Sequence, residues 1–296
     1  MPVPLAYFAV VLIWSTTPLG IVWSSASVSP TLAVFLRMLI ALILGLSILL
    51  LSRSIRFPWH KEALKLYSYS SIGIVGGMLL SYFAAGYITS GMMSLMFGLA
   101  PIFSGLLAQY VLGEPPFSFM RKIALMLCFI GLGIVCLDNI SVNSDSLIGL
   151  TLILVAVIFF SLSGVLVKSV QITIHPLATT MGALSLSTPA FFLIWLVFDG
   201  QLNIAQWQSK SVWAIIYLGV FGSLLGFLAY FHILQKLSAS TVALITLLTP
   251  VIAMSLGAWL NNETITLKLI VGATLIMTGL ATYQFGEKWR LKKRLN

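Results

Sequence analysis

Charge is what this chain has least of. Of 296 residues seven are acidic and sixteen are Lys or Arg, so charged residues make up only 8%, against roughly a quarter in soluble domains. With 59% apolar residues such a chain cannot cover itself with a water-facing surface, and lipid is the solvent it fits. Cysteine is nearly absent: Cys128 and Cys136 are the whole complement, which excludes a disulfide framework. The two lie on one predicted helix about 12 Å apart at ~1.5 Å rise per residue, beyond disulfide reach, and read as small packing residues. Histidine is confined to His60, His175 and His232, in three separate segments. The chain offers no metal-spaced His/Asp/Glu cluster, no Gly-rich phosphate loop running into Lys-Ser/Thr, and no Ser/His/Asp set with plausible proximity. An enzyme is therefore not expected, nor a cofactor or metal.

What is abundant is the long apolar run. A membrane-spanning helix needs about 20 mostly apolar residues, and ten such spans can be placed, at about 3–23, 31–51, 68–88, 92–112, 119–137, 147–167, 177–198, 213–233, 239–260 and 267–285. The connections are too short for a soluble domain. The first span lacks a basic leading region and carries Trp14-Ser15-Thr16-Thr17-Pro18 in its middle, so a cleavable signal peptide is not expected there.

The chain also repeats itself. The run SLMFGLAPIFSGLLAQYVLGE, from Ser94 to Glu114, returns as TVALITLLTPVIAMSLGAWLNNE, from Thr241 to Glu263, and the same 13-residue spacing separates Pro101 from Glu114 and Pro250 from Glu263. Gly73, Gly76 and Gly77 in span three recur 146 residues later as Gly219, Gly222 and Ser223, and Ser15 and Pro30 recur as Ser161 and Pro176. Duplicated patterns mean a duplicated unit. Because five spans is an odd number, the second unit must enter the membrane upside down. The expected fold is therefore an all-α membrane protein of ten transmembrane helices in two inverted five-helix repeats, residues 1–140 and 145–286, followed by a basic tail, 287–296. Inverted repeats are a common transporter construction, with solute bound near the midplane.

The net charge of +9 follows membrane topology rather than nucleic-acid binding. With the N-terminus inside, the cytoplasmic connections and tail carry thirteen Lys and Arg and the outer ones only Lys210 and Lys268. Both termini are expected in the cytoplasm, and the basic tail reads as a membrane-surface anchor.

Within the spans, Pro18 removes an amide and frees the carbonyl near Trp14. That carbonyl must find a partner in lipid, so this face either lines a wet cavity or is a kink with Ser15 and Thr17 bonded back to their own helix. Arg37 is the single basic residue well inside a span; isolated there it would cost roughly 2.5–3.5 kcal/mol on insertion scales. Either it snorkels to the outer headgroups or it faces the pathway, paired with helix carbonyls or a substrate carboxylate. Pro101 and Pro250 should loosen spans four and nine and free the carbonyls of Phe97 and Thr246. Glu114 and Glu263 should favour the N-terminal ends of spans five and ten. Tyr87 suits the interfacial belt and the deeper Tyr82 a cavity lining. Lys168 reads as a cytoplasmic anchor, and His232 as an interfacial residue rather than a proton carrier.

These features together resemble the EamA-type branch of the drug/metabolite transporter superfamily: the five-plus-five repeat, the LGE ending after Pro101, the Gly-rich fifth helices (123–133 and 271–280), Trp14-Ser15-Thr16-Thr17-Pro18 and Phe35-Leu36-Arg37. The second copy departs from LGE, reading Leu260-Asn261-Asn262-Glu263. The resemblance implies an inner-membrane carrier, often an exporter of amino acids or related metabolites, with a cavity lined by spans one, three, four, six, eight and nine. Carried onto matching positions, it implies pathway residues Trp14, Thr17, Tyr82, Phe97, Ser161, Ser163 and Thr246, to which the energetic argument adds Arg37. A small-molecule substrate, the bilayer as the second partner, no nucleic acid, and a monomer or weak dimer are expected. No Asp or Glu lies inside a span, which favours neutral, zwitterionic or anionic solutes over lipophilic cations and leaves a proton without an obvious carrier. Efflux of cationic or aromatic drugs through an aromatic box, or a scaffold that transports nothing, are the alternatives.

Overall fold

The structure is a computed structural model that describes residues 2–52, 55–142, 145–172, 174–236 and 245–295. Among these, regular structure is entirely helical. Five helices fill the first half: α1 (Val3–Ser24), α2 (Pro30–Leu51), α3 (Lys61–Ala84), α4 (Ser90–Val111) and α5 (Phe119–Val142). Five fill the second: α6 (Ser146–Ser169), α7 (Pro176–Phe198), α8 (from Ser209 to Lys236), α9 (Ile245–Asn261) and α10 (Leu267–Leu295). Among the described residues, nine are long and apolar enough to cross a bilayer. α9 is shorter among the described residues; the start of its expected span, 239–244, lies outside them. A 22-residue helix such as α1 is about 33 Å long at ~1.5 Å per residue, which matches the hydrocarbon thickness.

Local sequence explains where these helices start and stop. Pro30 and Pro176 occupy first-turn positions, where a missing amide costs nothing. His60 and His175 cap α3 and α7, their Nδ1 atoms accepting from the amides of Ala63 and Leu177. At the ends of α4 and α9 the chain turns through a left-handed residue, Gly113 (φ +67°) and Asn262 (φ +52°). The next amide then reaches back six residues, Glu114 to the Ala108 carbonyl and Glu263 to that of Gly257. Helices commonly end through one left-handed residue, usually Gly and sometimes Asn; LGE and NNE are two spellings of one turn.

The two proline helices differ inside. α4 breaks into Ser90–Phe97 and Ala100–Val111, with Gly98 and Leu99 between; the break falls where Pro101 withholds the amide that the Phe97 carbonyl would accept from. α9 runs through Pro250 without a break, and the residue matching Gly98 there is Leu247. α1 likewise continues through Pro18.

Glycine sets which helices meet closely. α3 and α8 each contain a π-helical stretch, Gly73–Gly77 and Leu218–Leu225, holding the glycines that repeat in the sequence. A methyl group at Gly73 would lie 2.6 Å from Ser163 Cβ, and one at Gly219 would lie 2.8 Å from Ile40 Cβ, so backbones approach there as small-residue contacts allow. α5 and α10 pair closely: a methyl at Gly131 would lie 2.6 Å from the Gly272 carbonyl oxygen, and Cys128, a free thiol, donates to the Ile276 carbonyl at 3.6 Å. α5 packs on α10, α2 on α7 and α4 on α9. Alongside them, α1 packs on α8 and α9, α6 on α3 and α4, α2 on α8 and α7 on α3. The outward faces are apolar, with Leu51, Val197, Phe198 and Trp259 exposed, as lipid requires.

Candidate functional site

The expected pathway residues fall into three groups. The first surrounds Arg37, which lies about 10 Å along α2 from its start at ~1.5 Å per residue. It does not snorkel: the side chain is 0% exposed. Nε donates to Ser223 Oγ at 2.8 Å, Nη1 lies 3.8 Å from the Met78 thioether, and Nη2 is buried with no hydrogen-bond partner among the described residues. A methyl added at Gly222 would stand 3.0 Å from Nη2 and 3.6 Å from Thr17 Oγ1. Arg37, Thr17 and the Gly222-Ser223 stretch of the α8 π-helix therefore meet, with Met78 of α3 beneath. Tyr82, one turn beyond Met78 and on the same face of α3, is also fully buried, and its hydroxyl has no partner among the described residues.

Around Pro18 the hydroxyls behave as the kink reading expects. Ser15 and Thr17 donate to the carbonyls of Val11 and Ile13 at 2.7 Å each. Thr16, which the sequence did not single out, makes the bond between helices, 2.6 Å to the Tyr217 hydroxyl.

The second group joins α6 to α3 and α4. Ser163 Oγ donates to the Tyr69 carbonyl at 2.7 Å, and Ser161 Oγ to the Ala100 carbonyl, beside the α4 break, at 3.2 Å. Phe97 sits edge-on to Phe160 with ring centroids 5.9 Å apart. The third group is aromatic: Trp14 packs on Tyr230 at 4.9 Å within a small apolar cluster that includes Val10, Ala229 and Ile245. Thr246 follows Ile245 in the first turn of α9.

One expectation is corrected. Glu263 does not serve α10. Its carboxylate accepts from the amides of Ser90 and Gly91 at 3.0 and 3.1 Å and from Asn261 Nδ2 at 3.1 Å, so it caps the start of α4. Asn261 Oδ1 in turn accepts from Trp23 Nε1 at 2.8 Å, and Lys210 lies over the Trp23 ring at 4.1 Å. Ser211 donates to the Trp23 carbonyl at 2.7 Å and receives a bond from Ser27 at 2.9 Å. The Trp23 end of the bundle thus ties α1, α4, α8 and α9 together. Glu114 does not serve α5 either; it pairs with Lys168 at 3.3 Å, an exposed pair that contributes little to stability.

Comparison with known proteins places this geometry. The EamA-like transporter family model matches twice, over residues 2–137 and 147–283. An uncharacterized transporter of Archaeoglobus fulgidus is 26% identical, covering 90% of this chain and 93% of its own. The Bacillus subtilis uncharacterized transporter YoaV is 25% identical, covering 97% and 98%. An Escherichia coli protein named a probable amino-acid metabolite efflux pump is 24% identical over 68% of this chain and 69% of its own. A chain from a solved crystal structure shares the fold with a TM-score of 0.65 at 18% identity, covering 95% of this chain and 96% of that one. The chain is a multi-pass membrane protein that belongs to the EamA-like transporter family of the drug/metabolite transporter superfamily.

Proposed function

We propose that this protein is a secondary transporter that exports or exchanges small metabolites of the amino-acid class across a bacterial inner membrane, by alternating access between two inverted five-helix repeats, residues 1–140 and 145–286. In this reading both termini and the basic tail 287–296 face the cytoplasm, and Trp14, Thr17, Tyr82, Phe97, Ser161, Ser163 and Thr246 flank the solute path. The observation that carries it is the pattern of packing partners. Exchange each helix for the one five places along, and the larger contacts map onto one another, while the lighter α1–α4 contact has no comparable α6–α9 contact among the described residues. α1 with α8 becomes α6 with α3, α1 with α9 becomes α6 with α4, and α2 with α8 becomes α7 with α3, while α2–α7, α4–α9 and α5–α10 map to themselves. Two units related this way are interchangeable, so the conformation one adopts is available to the other, and swapping their roles opens a shared site to either side. The name of the Escherichia coli efflux relative supports the amino-acid class.

The test is counterflow in proteoliposomes. Vesicles preloaded with unlabelled amino acid should accumulate the labelled one, and protein-free vesicles should not. Accumulation of a quaternary amine with no movement of any amino acid would replace this reading with cation efflux. No counterflow of either class would overturn transport.

A further inference from the structure

We infer that Arg37, with Thr17 and the Gly222-Ser223 stretch of α8, forms the subsite for the carboxylate of the transported solute. The inference rests on the transport reading and names the chemistry its site selects. A guanidinium presents five N–H donors and cannot shed its charge in a protein. Here Nε has one good acceptor, Ser223 Oγ, Nη1 faces a thioether at 3.8 Å, and Nη2 is unpartnered among the described residues, all at 0% exposure. No ion pair found among the described residues involves it. A buried charge left in this condition costs several kcal/mol. A charge kept at that cost, aimed at a glycine, fits a ligand that arrives and leaves.

The local geometry is suited to a carboxylate. Nη1 and Nη2 form the planar fork that two carboxylate oxygens match. Gly222 keeps its own side of the buried Nη2 clear, because any side chain there would begin 3.0 Å from it. Thr17 Oγ1 borders the same point at 3.6 Å. Gly222 and Ser223 belong to a π-helical stretch, a construction that frequently marks working sites because it gives up regular hydrogen bonding to place a few residues. The Tyr82 hydroxyl, buried and unpartnered on the Met78 face of α3, offers a second polar contact nearby. Pro18 denies the Trp14 carbonyl its helical donor, one turn from Thr17, leaving an acceptor suited to a solute ammonium group. The solute class is therefore a small α-amino carboxylate, bound when the helices around Arg37 part.

The experiment compares leucine, threonine and phenylalanine with their carboxamides, by thermal unfolding of the full-length protein in detergent and by counterflow in vesicles. Ligand that binds the folded state raises the unfolding temperature. The free acids should stabilise the protein and be carried, and the carboxamides should do neither. Arg37→Gln should weaken acid binding roughly tenfold to a hundredfold. Gly222→Ala keeps the charge and the fold of α8 while crowding Nη2, so it keeps the test alive if Arg37→Gln does not fold, and it should lose acid binding in the same direction. Equal binding of acids and carboxamides by the wild type overturns the subsite, as does unaltered acid binding in Gly222→Ala or stabilisation by chloride alone. Amino-acid counterflow that ignores Arg37 sinks the subsite and leaves transport standing. Acid-specific, Arg37-dependent stabilisation without counterflow sinks transport and leaves the subsite standing.

Discussion

At the scale of single residues, position in the sequence identified Arg37 as costly but not which way it resolved the cost. A long side chain two turns into a helix can reach the headgroups or turn inward, and the choice depends on what stands beside it in another helix. That neighbour, Ser223, lies 186 residues away; it was visible as part of a repeated small-residue triad, with nothing in the sequence to tie it to Arg37. Trp14 was legible as special through Pro18, yet its ring lies in an apolar cluster on Tyr230, a contact between distant spans that no local pattern encodes. Asn262 was legible only as a departure from LGE. Its left-handed backbone, φ +52°, explains the departure and yields a prediction. Left-handed backbone costs an ordinary L-residue roughly 1–2 kcal/mol and Gly or Asn much less. Asn262→Ala should therefore lower stability by about 1 kcal/mol and Asn262→Gly should not, as read by thermal unfolding in detergent. An equal loss in both would mean that the Asn side chain, not the turn, matters there.

At the scale of helices, hydropathy found all ten elements, because a bilayer fixes their length and leaves composition little freedom. It missed their polar ends: α3 begins at Lys61 against an expected 68, and α10 runs to Leu295 against an expected 285. Two further things escaped. The π-helical stretches were not foreseen, although their glycines were, since hydropathy carries no record of how a helix winds. The partner of Glu263 was also missed. Dipole reasoning correctly asked for a helix N-terminus, and the nearest in sequence was α10, but the fold brings α4 to it instead. A carboxylate bonded to two backbone amides is a charge-assisted cap, with each such bond contributing about 1.5–3 kcal/mol. Glu263→Ala should therefore let the first turn of α4 fray, raising amide exchange at Ser90 and Gly91 by about tenfold, the equivalent of ~1.4 kcal/mol of local opening. Unchanged exchange at those amides would show that water or Thr89, which caps Met92, suffices to hold that end.

At the scale of the whole molecule, alternating access requires that the two ends of the bundle be closed by different contacts and never both be open. The Trp23 end is closed here by side chains drawn from α1, α8 and α9 and by the α4 cap, so Trp23, Asn261, Glu263, Ser27 and Ser211 form one connected set. If transport needs this end to part, a covalent link across it must stop the cycle without disturbing the conformation that already exists. The Oγ atoms of Ser27 and Ser211 are 2.9 Å apart, so sulfurs in their place need move little to reach a bond of about 2.04 Å. In a protein with Cys128 and Cys136 replaced by Ser, the pair Ser27→Cys and Ser211→Cys should form a disulfide under mild oxidation. Counterflow should then fall to the level of protein-free vesicles and return on reduction, while either single cysteine should transport as before in both conditions. A cross-linked protein that still carries solute would mean that this end does not open during transport, and the interchange of the two five-helix units would lose its mechanical meaning.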